Sequence, residues 1–268
     1  MFTFKGTNTY IVGRGRVAVV DPGPVSPEHA AAIMKALQNE TVTHIIATHT
    51  HNDHSPGIPA IQQVTGAPTY GFGPHGAGAR RNWPFDSPEG GDKNFNPDHQ
   101  VADGDVIEGE GWALEAIHTP GHISNHICLA LKDENLLLSG DHVMAWSTSI
   151  VSPPDGDMTQ YMASLRKLLT RSEDIYYPGH GGPVTNPKAF VEAFIRHREA
   201  REVQIRDCLT SGPKTIPAMV EAMYADVDKN LHRAAGRSVL SHLLAMWERG
   251  EVTAAENPPG PDSSYQLA

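Results

Sequence analysis

The fold of this chain is decided by Thr48-His49-Thr50-His51-Asn52-Asp53-His54-Ser55-Pro56-Gly57. This stretch follows an apolar, β-branched run that begins at Thr43 and has the length of a buried strand. Where a strand ends, alternate side chains point the same way, so His49 and His51 are expected to face one site. The following turn brings Asp53 and His54 towards that site. Imidazole with carboxylate suits zinc, manganese or iron rather than calcium or magnesium, so the loop predicts a site for two adjacent ions.

Three later strands end in the same way, with a polar side chain next to glycine. These ends are Thr119-Pro120-Gly121-His122, Ser139-Gly140-Asp141 and Pro178-Gly179-His180. Glycine at each end permits close approach of the backbone to a bound group. A solvated, histidine-rich turn would not require this repetition. The sequence therefore predicts that His122, Asp141 and His180 join the first loop in one metal centre.

Charge and composition exclude several classes of protein. The formal net charge is −10 over 268 residues, so the chain lacks the overall basic field of a dedicated duplex-DNA binder. Cys128 and Cys208 form no CxxC motif, which predicts free thiols and a reducing cytoplasm. No apolar run approaches the roughly 20 residues that span a bilayer, and the N terminus lacks the features of a signal peptide. We expect a cytoplasmic protein without contact to a membrane.

The chain divides into three predicted parts, residues 1–193, 194–256 and 257–268. The first part alternates short strands with helices, including a strand from Arg16 to Asp21, and contains a Gly- and Pro-rich loop over residues 73–99. The second part holds two helices followed by a short strand, an order typical of a small winged-helix domain. The third part is rich in proline and is predicted to be disordered.

Together these motifs resemble those of the metallo-β-lactamase superfamily. The family's His-x-His-x-Asp-His motif is matched by His49, His51, Asp53 and His54. The resemblance implies a first metal held by His49, His51 and His122. It implies a second metal held by Asp53, His54 and His180, with Asp141 as the bridge between the two. It also implies an α/β fold, a four-layer αββα sandwich with the site at one edge of the sheets.

The chemistry of such a centre follows from its ions. Two divalent cations that share one water lower the pKa of that water enough to form hydroxide at neutral pH. We therefore expect a dinuclear hydrolase in which a metal-bridging hydroxide attacks an ester, thioester or phosphodiester. Asp53 is the expected catalytic residue, because it can orient the hydroxide and pass a proton to the leaving group. Zinc is the expected metal, with iron and manganese as alternatives that the same ligands accept.

Two features narrow the resemblance to the β-lactamase-like protein 2 branch, which ends in a winged-helix domain. They are the opening run Phe4-Lys5-Gly6-Thr7-Asn8-Thr9-Tyr10 and the later run Ala234-Ala235-Gly236-Arg237-Ser238. That branch usually begins about one strand earlier, so a shortened N terminus is expected. True β-lactamases of the superfamily lack the bridging aspartate, so Asp141 argues against that activity. Only 38 residues separate Asp141 from His180, which leaves no room for the inserted domain of β-CASP nucleases.

The substrate stays open between a small-molecule ester or thioester and single-stranded RNA. The branch includes a single-strand endoribonuclease, while glyoxalase-II-type thioesterases share the same seven ligands. Two further hypotheses come from different classes, a mononuclear iron sulfur dioxygenase and a nucleic-acid-binding protein with a vestigial site. Nine Lys or Arg and nine Asp or Glu between Phe194 and Glu256 give a neutral winged-helix part, unlike a nucleic-acid reader. Its expected role is to cover the flank of the site or to form a homodimer surface.

A few further side chains are candidates for supporting roles. His126 and His142 lie close in sequence to predicted ligands and are candidates for contacts with them. His75 lies in the long loop and is a candidate for contact with substrate. Three aromatic residues in this loop or directly before it, Phe72, Trp83 and Phe85, are predicted either to line the cleft or to cap the core.

Overall fold

Two five-stranded sheets form the centre of the N-terminal domain in the computed structural model, which describes residues 5–86 and 90–268. Phe4 of the opening motif lies outside the described residues. The first sheet has the order β1 (Tyr10–Val12), β2 (Arg16–Val20), β3 (Thr41–Ile46), β4 (Thr69–Gly71) and β5 (His99–Gln100). The second has the order β10 (Ile175–Pro178), β9 (Leu136–Gly140), β8 (Ile127–Leu131), β7 (Trp112–His118) and β6 (Val106–Gly109).

Helices cover the outer faces of both sheets and build the C-terminal domain. Those described are α1 (Pro27–Ala36), α2 (Ile58–Thr65), α3 (Met158–Leu168), α4 (Pro187–Leu209), α5 (Ile216–Met223) and α6 (His232–Glu248), with a 3-10 turn at Lys229–Leu231. None of these helices combines the length and the apolar character that crossing a membrane requires.

The alternation of side chains along each strand explains the layers. In β2, Ala18 and Val20 pack into the core between the two sheets, while Val17 and Val19 pack under α1 and α2. Strand β8 does the same in the second sheet, where Leu129 faces the first sheet and Cys128 faces the core beneath α3 and α4. Because successive side chains point to opposite faces, each of these two strands contributes apolar residues both to the core between the sheets and to the core beneath the helices. The predicted αββα sandwich is confirmed.

Helix α4 runs unbroken through the predicted boundary between residues 193 and 194. Its first half packs on the N-terminal domain through Val191 and Phe194. Its second half supplies Ile205 and Leu209 to the core of the C-terminal domain. One helix thus belongs to both domains, and its apolar periodicity continues across the join. The C-terminal domain adds α5, α6 and a three-stranded sheet of β11 (Lys214–Thr215), β13 (Ser264–Leu267) and β12 (Val252–Ala254).

The prediction of a disordered tail is wrong. Strand β13 pairs antiparallel with both β11 and β12, and Tyr265 is fully buried in the C-terminal core. The proline-rich run shapes a turn before the strand, in which the Tyr265 hydroxyl donates to the carbonyl of Gly260 (2.8 Å). Local composition favoured disorder, but pairing with two distant strands and burial of one aromatic ring stabilise the segment.

Candidate metal centre

The ends of four strands from both sheets meet at one edge of the sandwich. Strand β3 leads into the loop that carries His49, β7 ends before His122, β9 ends before Asp141 and β10 ends before His180. The structure brings the side chains of all seven predicted ligands together there. Six of the seven fall into two groups of three, and Asp141 lies between the groups.

The first group consists of three imidazoles. The Nε2 atom of His49 lies 3.1 Å from Nδ1 of His51, and Nε2 of His122 lies 2.9 Å from that same Nδ1. Nitrogens that share one tetrahedral zinc ion at about 2 Å would lie about 3.3 Å apart, close to this spacing. The three nitrogens can therefore hold one ion.

The second group combines two imidazoles with a carboxylate. The Nε2 atom of His180 lies 3.1 Å from Oδ2 of Asp53 and 3.4 Å from Nε2 of His54. The carboxylate of Asp141 reaches both groups, since one oxygen lies 3.7 Å from Nε2 of His122 and the other 3.5 Å from Nε2 of His54. Two ions placed in the two groups would have Asp141 between them.

Hydrogen bonds at the back of the imidazoles fix which nitrogen faces the centre. The Nδ1 atom of His54 donates to Oδ2 of Asp21 (2.8 Å), and that of His180 donates to the carbonyl of Gly6 (3.0 Å). The Nδ1 atom of His122 donates to the carbonyl of Ile150 (2.5 Å). Because Nδ1 carries the proton in each ring, the lone pair of Nε2 points inward. This is the arrangement of imidazoles that bind a metal.

The electrostatics of the centre favour a cation. Burial alone would raise the pKa of Asp141, but the neighbouring His54 and His180 hold it well below its usual range. Burial alone would lower the pKa of His180, but hydrogen bonds with Asp141 and Asp53 raise it to about 10. For His51, burial and the adjacent imidazole of the first group lower the pKa to about 3. The buried carboxylates thus draw positive charge onto His54 and His180, and a bound cation can supply that charge in place of the protons.

Two details of the surroundings also fit bound metal. The buried Oδ1 atom of Asp141 has no hydrogen-bond partner among the described residues, an arrangement that is costly unless a cation faces it. Gly179 leaves the space that this carboxylate uses, because a Cβ atom there would lie 2.4 Å from Asp141 Oδ1 and 2.7 Å from the ring of His54. Any other residue at position 179 would displace both side chains.

Sequence reasoning missed Asp21, which is buried directly after β2. Its carboxylate accepts hydrogen bonds from the backbone N–H of Thr48 (2.7 Å), the hydroxyl of Thr48 (2.6 Å) and Nδ1 of His54. Asp21 also lies near enough to His49 and His54 to form a third group of potential ligands. Because its oxygens already accept three hydrogen bonds, we interpret it as the residue that orients His54. The signal was Asp21-Pro22-Gly23, another strand end with a polar side chain near glycine.

Replacing Asp21 with asparagine should weaken metal binding by about 10- to 100-fold, because His54 loses the carboxylate that orients its ring. Competition with a chromogenic chelator measures the affinity. Asp98→Asn is the matched control, since Asp98 also accepts hydrogen bonds from the backbone and hydroxyl of one residue, Thr69, but stands apart from the two groups. Equal affinities of the Asp21→Asn and Asp98→Asn proteins would contradict this role.

Residues around the ligands hold their backbone in place. The side-chain amide of Asn8 donates to the carbonyls of Pro178 (2.9 Å) and Gly181 (2.8 Å), on either side of His180. The backbone N–H of Asp141 donates to Nε2 of His126 (3.1 Å), so His126 has the supporting contact expected of it. These contacts position the segments that carry the ligands.

A cavity of about 140 Å³ opens beside the first group. Its lining includes His51 and His122 of the first group together with His75, Asp155 and Gly156. His75 thus lies at the cavity beside the first group, and its contact with substrate stays a prediction. Two aromatic candidates lie elsewhere, since the rings of Trp83 and Phe85 pack against the core of the C-terminal domain.

Comparison with known proteins identifies the family. Residues 2–180 match the family model of the metallo-beta-lactamase superfamily, and residues 215–257 match that of the beta-lactamase associated winged helix domain. This chain belongs to the metallo-beta-lactamase superfamily. It is therefore a hydrolase of that superfamily with a C-terminal winged-helix domain, and the predicted resemblance is confirmed.

Relatives cover most of the chain. The Beta-lactamase-like protein 2 homolog of Drosophila melanogaster is 31% identical over 269 residues, which are 95% of this chain and 87% of that protein. A protein of Emericella nidulans named Atrochrysone carboxyl ACP thioesterase is 32% identical over 204 residues, 75% of this chain and 60% of that protein. A metallo-beta-lactamase family protein from Thermus thermophilus has a similar fold, with a TM-score of 0.78 at 24% identity, covering 98% of this chain and 94% of that one.

Proposed function

We propose that this superfamily member is a dinuclear metal-dependent hydrolase of small-molecule thioesters and esters. The observation that carries the proposal is the pair of donor groups that face each other across Asp141 beside a narrow cavity. In this assignment His49, His51 and His122 would hold a first ion. Asp53, His54 and His180 would hold a second, with the carboxylate of Asp141 between the two groups. Zinc suits these ligands, and iron and manganese are alternatives.

The reaction needs a nucleophile, a polarised carbonyl and a proton carrier. When bound, two divalent ions act as Lewis acids that polarise a carbonyl oxygen and lower the pKa of a water between them. The side chain of Asp53 is 30% exposed, compared with 9% for Asp141, so Asp53 is the carboxylate that substrate and water can reach. Burial alone would raise the pKa of Asp53, but its hydrogen bond with His180 lowers the pKa to about 2. Asp53 is thus ionised at neutral pH and enters the reaction as a proton acceptor.

The departing sulfur then requires a proton. We propose that Asp53 delivers the proton it took from water to the thiolate as the carbon–sulfur bond breaks. His180, 3.1 Å from Asp53, holds that carboxylate in place for both transfers. The cavity beside His51 and His122 receives the acyl group, because it adjoins the donor groups and is open to solvent.

The choice of a thioester over RNA rests on the relatives and on charge. The Emericella nidulans relative, of which this chain covers 60%, is a thioesterase by name. Among the described residues that line the cavity, Lys93 is the one lysine or arginine, and it shares the rim with Asp86 and Asp155. A phosphate backbone is held by grooves of clustered basic side chains, which this rim does not provide. The winged-helix domain is neutral as well, and this also argues against a role in binding RNA.

Functions from different classes fit the donor set less well. A mononuclear iron sulfur dioxygenase needs two histidines and one aspartate, and it would leave the group of Asp53, His54 and His180 without a purpose. A nucleic-acid-binding protein with a vestigial site would not need seven converging donors whose imidazoles are oriented from behind. A glyoxalase-II-type thioesterase has the same chemistry as our proposal and differs only in the thiol that leaves.

A parallel assay tests the proposed function. Purified protein of measured metal content is incubated with a glutathione thioester, a simple acyl thioester, an aryl ester and single-stranded RNA. We expect thiol release from at least one thioester and no cleavage of RNA. Treatment with a chelator should abolish the thiol release. Cleavage of RNA with no release of thiol would overturn the choice of substrate.

A further inference from the structure

We infer that the C-terminal domain is part of the catalytic unit, because α6 holds in place the wall of the cavity beside the metal centre. The element it holds is the described segment 72–86 between β4 and β5, hereafter the cleft loop. The inference deepens the proposed function, and the part of its test that uses a thioester substrate rests on that function. It gives the winged-helix domain a role in accepting a small acyl substrate rather than in binding nucleic acid.

Two arginines of the cleft loop converge on one carboxylate at the end of α6. The guanidinium of Arg80 lies 2.6 Å from Oε2 of Glu248, and Nε of Arg81 lies 2.6 Å from Oε1 of the same residue. The side chain of Glu248 is only 11% exposed, so both contacts are partly shielded from solvent. Thr159 of α3 donates a third hydrogen bond to Glu248 (3.2 Å). This carboxylate therefore joins the cleft loop, α3 and the C-terminal domain.

Aromatic packing extends the same contact. The rings of Trp83 in the cleft loop and Trp247 in α6 lie 6.2 Å apart in an edge-to-face arrangement, and Phe85 stacks beside Trp83 at 5.9 Å. The guanidinium of Arg81 lies 5.8 Å from the ring of Trp83 and 5.9 Å from that of Trp247. Aromatic rings that pack edge to face and under a cation stabilise each other beyond simple burial. The cleft loop thus contacts α6 through aromatic packing as well as through ion pairs.

Arg80 connects this contact to two segments that line the cavity. Besides Glu248, Arg80 binds the carboxylate of Asp157 through Nε (2.9 Å). Asp157 is the N-cap residue of α3 and directly follows Gly156, which lines the cavity. The cleft loop supplies His75 and Asp86 to the same lining. One guanidinium therefore joins the cleft loop to the segment that carries Gly156, and joins both to α6.

The charge balance predicts what happens when Glu248 is neutralised. Arg80 and Arg81 face Asp157 and Glu248, two cations against two anions. Glu248→Gln leaves Arg81 without its carboxylate and Arg80 with Asp157 alone. The side chains of Arg80 and Arg81 are 38% and 44% exposed, so water can solvate both guanidinium groups after the change. The domain should therefore remain folded while the cleft loop opens more often. The metal groups lie on other segments and should be unaffected.

Glu248→Gln is the test, and Glu251→Gln is its matched control. Glu251 lies three residues further along the same domain and also pairs with two arginines, Arg206 and Arg249, but it does not contact the cleft loop. For Glu248→Gln we expect KM for the thioester to rise about fivefold with kcat within about twofold, which marks a loss in positioning rather than in chemistry. Trypsin should cut after Arg80 or Arg81 about ten times faster, since proteolysis follows the open population. Glu248→Asp keeps the carboxylate, so it should show smaller changes in both KM and cleavage rate than Glu248→Gln.

Measuring both trypsin cleavage and KM distinguishes a failure of this inference from a failure of the proposed function. Trypsin cleavage requires no substrate, so it reports on the cleft loop even if the wild-type protein hydrolyses no thioester. Faster cleavage and a higher KM in Glu248→Gln alone, with metal content equal in all variants, would support the inference. Equal cleavage rates and equal KM values for Glu248→Gln and Glu251→Gln would overturn it.

Discussion

Asp53→Ala should lower thioester hydrolysis by about a thousandfold or more while the protein remains folded. Removing a positioned proton carrier costs about 10²- to 10⁴-fold, and this carboxylate is also a proposed metal ligand. Its side chain is partly exposed at the turn after β3 and pairs with His54 and His180 of the centre, so the core is not disturbed. Initial rates on the preferred thioester, with circular dichroism of the same samples, measure both parts of the prediction.

The control must lose an aspartate of a turn outside the metal centre. Asp105→Ala is suitable, because Asp105 accepts one backbone hydrogen bond from Ala102 in the turn before β6 and takes no part in either metal group. Its rate should equal that of the wild type. Metal content is measured for each variant. If Asp53→Ala protein that carries its full metal content turned over substrate at the normal rate, Asp53 would have no catalytic role.

Removal of metal should abolish activity and also lower the melting temperature by about 8–16 °C. A ligand present at about a thousand times its Kd stabilises the folded state by about 4 kcal/mol, and about 1 kcal/mol shifts the Tm of a domain this size by about 2–4 °C. Without a cation, the buried Oδ1 atom of Asp141 lacks a partner in the described part of the chain that offsets the cost of its burial. Differential scanning calorimetry before and after chelation measures the shift.

Restoring each metal separately gives the control for that experiment. The chelated protein is dialysed, shown by elemental analysis to be free of metal, and then supplied with zinc, iron or manganese. Activity and Tm should recover together, and the ion that restores both at the lowest concentration identifies the preferred metal. Full hydrolysis by protein shown to be metal-free would contradict the assignment of the centre.

Much of the centre could be predicted because its residues follow a local rule. Each predicted ligand stands within a few residues of a strand end, next to glycine or within the loop that begins at His49. Strand ends can be recognised from apolar runs, so side chains from distant parts of the chain were predicted to meet. Asp21 obeys the same rule but was interpreted as the last residue of a strand, although β2 ends at Val20. Its left-handed backbone, with φ of 51°, turns its side chain back under His54.

The parts that could not be predicted depend on contacts between distant residues. Arg80 and Glu248 are 168 residues apart, and neither stands in a local pattern that indicates a partner. Strand β6 lies at an edge of its sheet and alternates exposed with buried residues over only four positions, too short for periodicity to distinguish it from a loop. In the tail, Pro258 and Pro259 suggested disorder, whereas the buried ring of Tyr265 determines the structure. In each case the deciding energy comes from tertiary packing rather than from local propensity.

The unbroken α4 helix has a consequence for how the chain can vary. A helix turns about 100° and rises about 1.5 Å per residue, so one inserted residue would swing everything beyond it around the axis. Glu248 would then no longer reach Arg80, although every side chain of the metal centre would be untouched. Loops that join rigid parts tolerate such changes in length, but a shared helix transmits them in full. The length of α4 therefore sets the orientation of the C-terminal domain relative to the N-terminal domain, and with it the contact between α6 and the cleft loop.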